Sequence, residues 1–376
     1  MNFELSQEQK MLQQTARTFL KKECPKALVR QVVETDPGYS PELWKKMAEL
    51  GWMGLTIPEE LGGTGLSFLD LAVLLEEMGY NLCPGPFFST VVLGGFPLLS
   101  AGSAEQRKLL PGIAEGKTIV TMAVTGPSGR QDPALLDVTA AREGDRYVLR
   151  GAKLFVPDAH VADYLLCAAR TSETADPRQG VTVFLVEAKQ PGVRCELLKT
   201  VTWDKQCEVL FDRVAVPATA VVGAVGQGWP LVEATLAKAA VARCAETVGS
   251  ARAAFDMAMD YAKERAQFGR PIGSFQAVQH HLANMWVAVY GARYLVYKAA
   301  WKISQGLPAE LEVAMAKARV GTSCRKVTSL AHQLFGGIGF TMEHDVHLYH
   351  RRTLLGDMSF GSADAQLGKV ADALGL

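Results

Sequence analysis

Two glycine-closed segments carry the residue types best suited to holding a charged, planar ligand. The run Glu264-Arg265-Ala266-Gln267-Phe268-Gly269-Arg270-Pro271-Ile272-Gly273 ends a long helical pattern, and Phe275-Gln276-Ala277-Val278-Gln279 opens the next. It offers a guanidinium and an aromatic face on a tight Gly/Pro turn, which suits a diphosphate and a stacked ring. On spacing alone the plainer reading, an interhelical turn with surface charge, takes precedence. The second segment, Gln333-Leu334-Phe335-Gly336-Gly337-Ile338-Gly339-Phe340, ends another helix in three glycines. Backbone amides can approach a ligand closely there, or the helix simply stops. His344, His347 and His350 recur every three residues and could line one helix face as metal ligands. Asp345 and Arg351 interleave with them, so the expected state is a solvated or subunit-facing stripe and no metal. His280-His281 are expected on the surface and in packing, and Trp203, beside Asp204 and Lys205, as a domain-packing aromatic.

Three kinds of segment must position these groups. Over 1–118 the apolar residues recur at helical spacing. Ser6 with Gln9 reads as a capping box, and Ser40-Pro41 as an N-cap followed by proline at the first helical position, with Gly51 closing that helix. Over 119–225 the texture changes to short β-branched runs: Thr118-Ile119-Val120, Tyr147-Val148-Leu149, Val181 to Val186 and Val214-Ala215-Val216. Glu143-Gly144-Asp145 reads as a hairpin turn. Over 226–376 the chain turns Ala-rich, with a stripe of Val248, Ala251, Phe255, Met259 and Ala262, and further helices around 275–303 and 308–335. The expectation is an α+β multidomain chain in the order α, β, α.

The 376 residues exceed what one hydrophobic core usually organises. Lys+Arg and Asp+Glu are 39 each, so no net field gathers phosphate backbones, and nucleic acid is not an expected partner. Seven cysteines, an odd number without a CxxC pair, argue against a disulfide framework or thiolate zinc site and fit a reducing cytoplasm. The polar N-terminus has no signal-like run and no later apolar run reaches bilayer length, so neither export nor membrane insertion is expected. No G-x-G-x-x-G opens a helix in a βαβ unit, and G-x-S-x-G, Walker A and HExxH are absent, which sets aside Rossmann, hydrolase, NTPase and zincin chemistry.

Taken together, in this order and after an α-then-β lead, the two glycine-closed segments resemble the acyl-CoA dehydrogenase family. The resemblance extends to the loop Leu55-Thr56-Ile57-Pro58-Glu59-Glu60-Leu61-Gly62-Gly63-Thr64-Gly65 and the strand pattern from Gly144 to Phe155, and so covers essentially the whole chain. It implies a helical N-terminal domain, a central β-barrel-like domain and a C-terminal four-helix bundle carrying a subunit interface. It also implies FAD, with Arg265, Phe268, Gln333 and Gly337 at its diphosphate and adenosine across that interface, and Thr125, Phe155 and Ser362 as further cofactor-binding positions. The implied reaction removes two hydrogens from an acyl-CoA thioester: a carboxylate takes the α proton while the β hydrogen leaves as hydride to the flavin. An electron-transferring flavoprotein is the implied electron acceptor.

The chain departs from that pattern where the chemistry is done. The family's usual base, a glutamate before Gly-Thr, falls on Phe360, followed by Gly361-Ser362; the alternative base site, on the helix after the β domain, falls on Ala239, and its neighbouring arginine on Ala240. The usual Thr-Glu-Pro-Gly becomes Thr125-Gly126-Pro127-Ser128, and the flavin-facing Trp-x-Thr becomes Phe155-Val156-Pro157. Three expectations follow. The chain is one subunit of a hetero-oligomer (a heterotetramer, with a homotetramer as the alternative) whose homologous partner supplies the base. Or the fold performs another acyl-CoA reaction, an elimination, reduction or decarboxylation, or serves as a non-catalytic structural subunit. Or another carboxylate is recruited, Glu246 being the candidate, since it lies about two turns beyond Ala239 on the same helix face. A buried or interhelical polar contact is the plainer reading of Glu246, and Asp357 and Asp364 are weaker candidates.

Overall fold

The protein is described by a computed structural model over residues 4–376. Its helical lead comprises α1 (Gln7–Glu23), α2 (Lys26–Val33), α3 (Pro41–Glu49), α4 (Phe68–Asn81), α5 (Phe96–Ala101), α6 (Ala104–Arg107) and α7 (Leu109–Ala114). A π-helical stretch, Phe88–Gly95, runs directly into α5. The Ser6 capping box forms as expected, Gln9 N donating to Ser6 Oγ at 3.2 Å and Ser6 N to Gln9 Oε1 at 3.0 Å. Ser40 caps α3 ahead of Pro41.

The strands follow: β1 (Val120–Ala123), β2 (Thr139–Glu143), β3 (Arg146–Pro157), β4 (Tyr164–Arg170), β5 (Val181–Glu187), β6 (Val193–Leu198), β7 (Gln206–Pro217) and β8 (Val221–Val222). They form one eight-stranded sheet in the order β6-β7-β3-β2-β4-β5-β8, with β1 parallel to β4. Gly144, at φ 66°, closes the β2–β3 hairpin, with Glu143 paired to Arg146. The C-terminal helices are α8 (Trp229–Glu264), α9 (Gln276–Ser304), α10 (Glu310–Phe335), α11 (Val346–Met358) and α12 (Ala363–Ala373). A small hairpin of β9 (Ala266–Gln267) and β10 (Arg270–Pro271) lies between α8 and α9.

The chain gathers into two compact units. One combines residues up to Gln31 with Ser67–Cys83 and Ala240–Leu376; the other combines Val32–Leu66 with Pro84–Ala239. In the first, α4 crosses α8 at bare backbone: a Cβ on Gly79 would lie 1.9 Å from Glu246 O, and one on Gly249 1.9 Å from Glu76 O. Such an approach buries the neighbouring acids, which are met by bases from other helices. Glu76 accepts from Arg252 (2.6 Å), Arg293 (2.9 Å) and the Tyr297 hydroxyl (2.7 Å), while Glu77 accepts from Arg17 (2.9 Å) and Arg252 (2.8 Å). In the second unit the core is the inner face of the sheet, with Tyr147, Phe184, Val209, Phe211 and Val216 buried on it.

Candidate active site

The two glycine-closed segments lie at neighbouring helix ends of the first unit. Tyr261, one turn before Arg265, packs on Phe335, two residues after Gln333, with ring centroids 4.8 Å apart. Phe268 (φ 54°) and Gly269 (φ 79°) form the two-residue turn of the β9–β10 hairpin, the pairing of positive φ values that a tight twisted hairpin requires. A bulky side chain there costs roughly 1–2 kcal/mol, and the hairpin spends it on leaving the Phe268 ring 92% exposed. Arg270 lies over the Phe275 ring at 4.1 Å, and Phe268 meets Phe275 edge-on at 6.1 Å. Arg265, Gln333 and Gly337 are all exposed. Gly336 takes φ 65°, ψ −140°, a conformation open only to glycine, and a Cβ on Gly336 or Gly337 would meet nothing within 4 Å. An open glycine cradle beside exposed guanidinium and aromatic groups fits a dinucleotide's phosphates and rings.

In the second unit, the irregularity between Lys153 and Val156 is a bulge in the β3–β7 pairing, since three steps on β3 face two on β7. It puts Phe155 at φ 55° and leaves its ring 49% exposed, although the flanking Lys153 and Val156 are buried. Thr125 is buried; its carbonyl accepts from Leu154 N at 2.8 Å, and the preceding carbonyl, of Val124, accepts from Lys153 Nζ at 2.8 Å. The sheet thus brings Thr125 and Phe155 together.

Phe360 is half-buried at φ 56° between α11 and α12, followed by Gly361 at φ 92°. Its turn is held from several sides. Lys317, wholly buried, donates to Gly356 O (2.8 Å) and Asp357 O (2.9 Å). Asp357 accepts from Arg325 (2.7 Å) and Ala363 N (3.3 Å), which makes it a structural acid of the turn. Gln366 Nε2 donates to Phe360 O at 3.2 Å, and Ser362 caps α12. α11 crosses α8 one turn earlier, where a Cβ on Gly356 would lie 2.0 Å from Thr247 Oγ1. Glu246, next to Thr247, is buried and accepts from Arg243 Nη1 at 2.5 Å. Asp364 is exposed in the first turn of α12, and Ala239 is wholly buried in α8.

Residues 6–117 match the acyl-CoA dehydrogenase N-terminal domain, 121–214 the middle domain and 226–375 the C-terminal domain. The short-chain specific acyl-CoA dehydrogenase of Clostridium acetobutylicum is 32% identical, with 97% of each chain covered. The chain belongs to the acyl-CoA dehydrogenase family. Its fold is the acyl-CoA dehydrogenase fold, with N-terminal helical, central sheet and C-terminal helical domains. Two solved structures are similar over the whole chain. An FAD complex of PigA is 27% identical with TM-score 0.91 over 100% of both chains. The ChsE4–ChsE5 complex of Mycobacterium tuberculosis is 29% identical with TM-score 0.90, over 100% of this chain and 99% of that one.

For an acyl-CoA dehydrogenase family member, the residues that sequence reasoning missed are Lys153 and Lys317, which bond backbone carbonyls, and Arg243, which pairs with Glu246 inside α8. For the two lysines the signal was present as a lone base between apolar neighbours, Ala152-Lys153-Leu154 and Ala316-Lys317-Ala318. The histidines expected as a solvated or subunit-facing stripe also bond within the chain: His350 Nδ1 meets Thr328 Oγ1 at 2.9 Å, His347 Nε2 meets Met342 O at 3.2 Å, and Val346 N donates to His344 Nδ1 at 3.2 Å. No metal-binding cluster of His, Cys, Asp and Glu forms among the described residues, and no described helix is long and apolar enough to cross a membrane.

Proposed function

We propose that this chain is an FAD-dependent acyl-CoA α,β-dehydrogenase subunit whose proton-abstracting carboxylate comes from a homologous partner chain. The observation that supports this most is the turn at Phe360. Lys317, Asp357, Arg325 and Gln366 hold it as a base would need to be held, yet it presents a phenyl ring, which takes no proton. Glu246 does not replace the base on this reading, because its carboxylate is engaged by the Arg243 guanidinium. Bound FAD would supply the hydride acceptor. Arg265, Phe268, Gln333 and Gly337 would hold its phosphates and adenosine, with Thr125, Phe155 and Ser362 at the flavin end. The pattern of domains 1–118, 119–225 and 226–376 serves this division of labour. We take the assembly to be a heterotetramer in the cytoplasm, handing electrons to an electron-transferring flavoprotein. The seven free cysteines are in keeping with that compartment.

The same Phe360 favours a second reading, an acyl-CoA elimination, reduction or decarboxylation that needs no carboxylate at this position. The test is to co-express the tagged chain with a co-encoded homologue and weigh the purified complex by native mass spectrometry. A mixed tetramer containing FAD is expected. A flavin-loaded homotetramer that oxidises acyl-CoA to the 2-enoyl thioester alone overturns the subunit reading, and a different product selects the second one.

A further inference from the structure

Lys153 is among the largest fully buried side chains of the protein, at 0% exposure. Its Nζ donates to Val124 O at 2.8 Å, and among the described residues no carboxylate lies within ion-pair distance of it. Asp137, the nearest acid to influence it, is occupied with Ala152 N at 2.7 Å. Burial therefore pushes the Lys153 amine down to about 8. A buried ammonium held only by a carbonyl is costly to the fold, so its position must be explained by what it touches. Lys153 reaches the backbone immediately before Thr125, and the next residue, Leu154, donates to Thr125 O at 2.8 Å. The residue after that is Phe155, turned outward by the bulge. One tripeptide therefore bonds both carbonyls of the Val124-Thr125 segment, which leads from β1 into the Gly126–Gly129 turn, and carries the exposed ring.

We propose that Lys153 is a positioning residue for the flavin-facing segment Val124-Thr125 that leads into the Gly126–Gly129 turn, and that its buried positive charge raises the reduction potential of the bound flavin. The inference rests on the reading of Thr125 and Phe155 as flavin contacts. The low-dielectric surroundings carry the charge's field toward the turn instead of dissipating it in water. Addition of electrons to a ring above the turn would be favoured by that field, and the fixed carbonyls of Val124 and Thr125 would keep the turn from shifting.

The test measures the midpoint potential and FAD affinity of the flavin-loaded protein, with its partner chain where one is co-purified. Three forms are compared: wild type, Lys153→Gln, and Cys167→Asp. Cys167 is wholly buried, is paired with Ala123 on the neighbouring strand and lies close enough to Lys153 for their charges to interact. The aspartate therefore keeps the lysine in place and neutralises its field, which covers the case in which K153Q fails to fold. Both variants are expected to lower the reduced-to-oxidised ratio at fixed potential by tenfold or more, about 30 mV for a two-electron couple. K153Q should also weaken FAD binding severalfold. FAD bound to either folded variant with the ratio within twofold of wild type overturns this inference and leaves the dehydrogenase reading standing. A wild-type chain that takes up no FAD, alone or with its partner, overturns both.

Discussion

Replacing Phe360 by glutamate places a carboxylate on a turn that is already assembled. The left-handed conformation at φ 56° costs Phe and Glu alike, roughly 1–2 kcal/mol. The backbone supports from Lys317, Asp357 and Gln366 involve main-chain atoms of the turn and survive the exchange. Phe360 is half-buried, so the loss of its ring forfeits about 1 kcal/mol of burial. A well-placed general base contributes about 10²–10⁴ in rate, about 3–5 kcal/mol of barrier. The lone F360E chain, loaded with FAD, is therefore expected to bleach its flavin with an acyl-CoA thioester at least a hundredfold faster than the lone wild type. F360Q, of the same shape but without basicity, stays at the wild-type level. Anaerobic stopped-flow absorbance with thioesters of graded chain length reads the effect. Folded, flavin-loaded F360E that bleaches no faster than F360Q refutes the view that this turn is a base platform lacking only its base.

Other substitutions probe the supports. Glu246→Gln replaces the charged acceptor of Arg243 by a neutral amide oxygen and should cost about 1–2 kcal/mol by chemical denaturation; a variant of unchanged stability with lost activity would instead mark Glu246 as a base. Gly79→Ala drives a methyl to 1.9 Å from Glu246 O and should destabilise by about 3 kcal/mol or more, read as a drop in denaturation midpoint. Burial alone would raise the Glu77 carboxyl, but Arg17 and Arg252 more than offset it and hold it below its ordinary 4.5. Its contribution is thus present above pH 4.5 and lost as pH falls through the lowered value, so Tm should decline in that acid range and E77Q should flatten the decline. For Lys153, brought from 10.5 to about 8 by burial, the unfolded chain holds the extra proton between those values, so stability rises with pH across that window. Lys153→Met removes the buried charge but leaves the Val124 carbonyl without its donor, at a cost of about 1–3 kcal/mol, so its urea midpoint at neutral pH should stay near wild type while the rise in stability between pH 8 and 10.5 disappears.

Elements with local signals were legible in the sequence. The Ser6-Gln9 box, the Ser40-Pro41 start, the Gly144 hairpin and the α9 and α10 spans depend on neighbours a few residues apart. β4 was not read as a strand, because Leu165 to Ala169 is apolar on both faces and is settled only by its pairing with β1 and β5. The bulge at Phe155 was illegible for the same reason, being one residue out of register with β7, far along the chain, whereas the π-helical stretch at Phe88–Gly95 is local but differs from an α-helix only in its hydrogen-bond step, which residue types do not mark. The Phe360 turn was reached by counting from Gln333, but not what holds it, since Lys317, Arg325 and Gln366 converge on it from two other helices. Glu246 looked eligible by helical spacing, and its neighbour Arg243, one turn back on the same face, was the overlooked partner.

The most direct measurement is flavin bleaching by acyl-CoA thioesters, made on the lone wild-type chain and on its complex with a co-encoded homologue that carries a glutamate at a base position. Bleaching by the complex and none by the lone chain is the predicted result, with loss of the signal when the partner's glutamate is changed to glutamine. Full bleaching by the lone wild-type chain would contradict the account, because a carboxylate of its own would then be abstracting the proton.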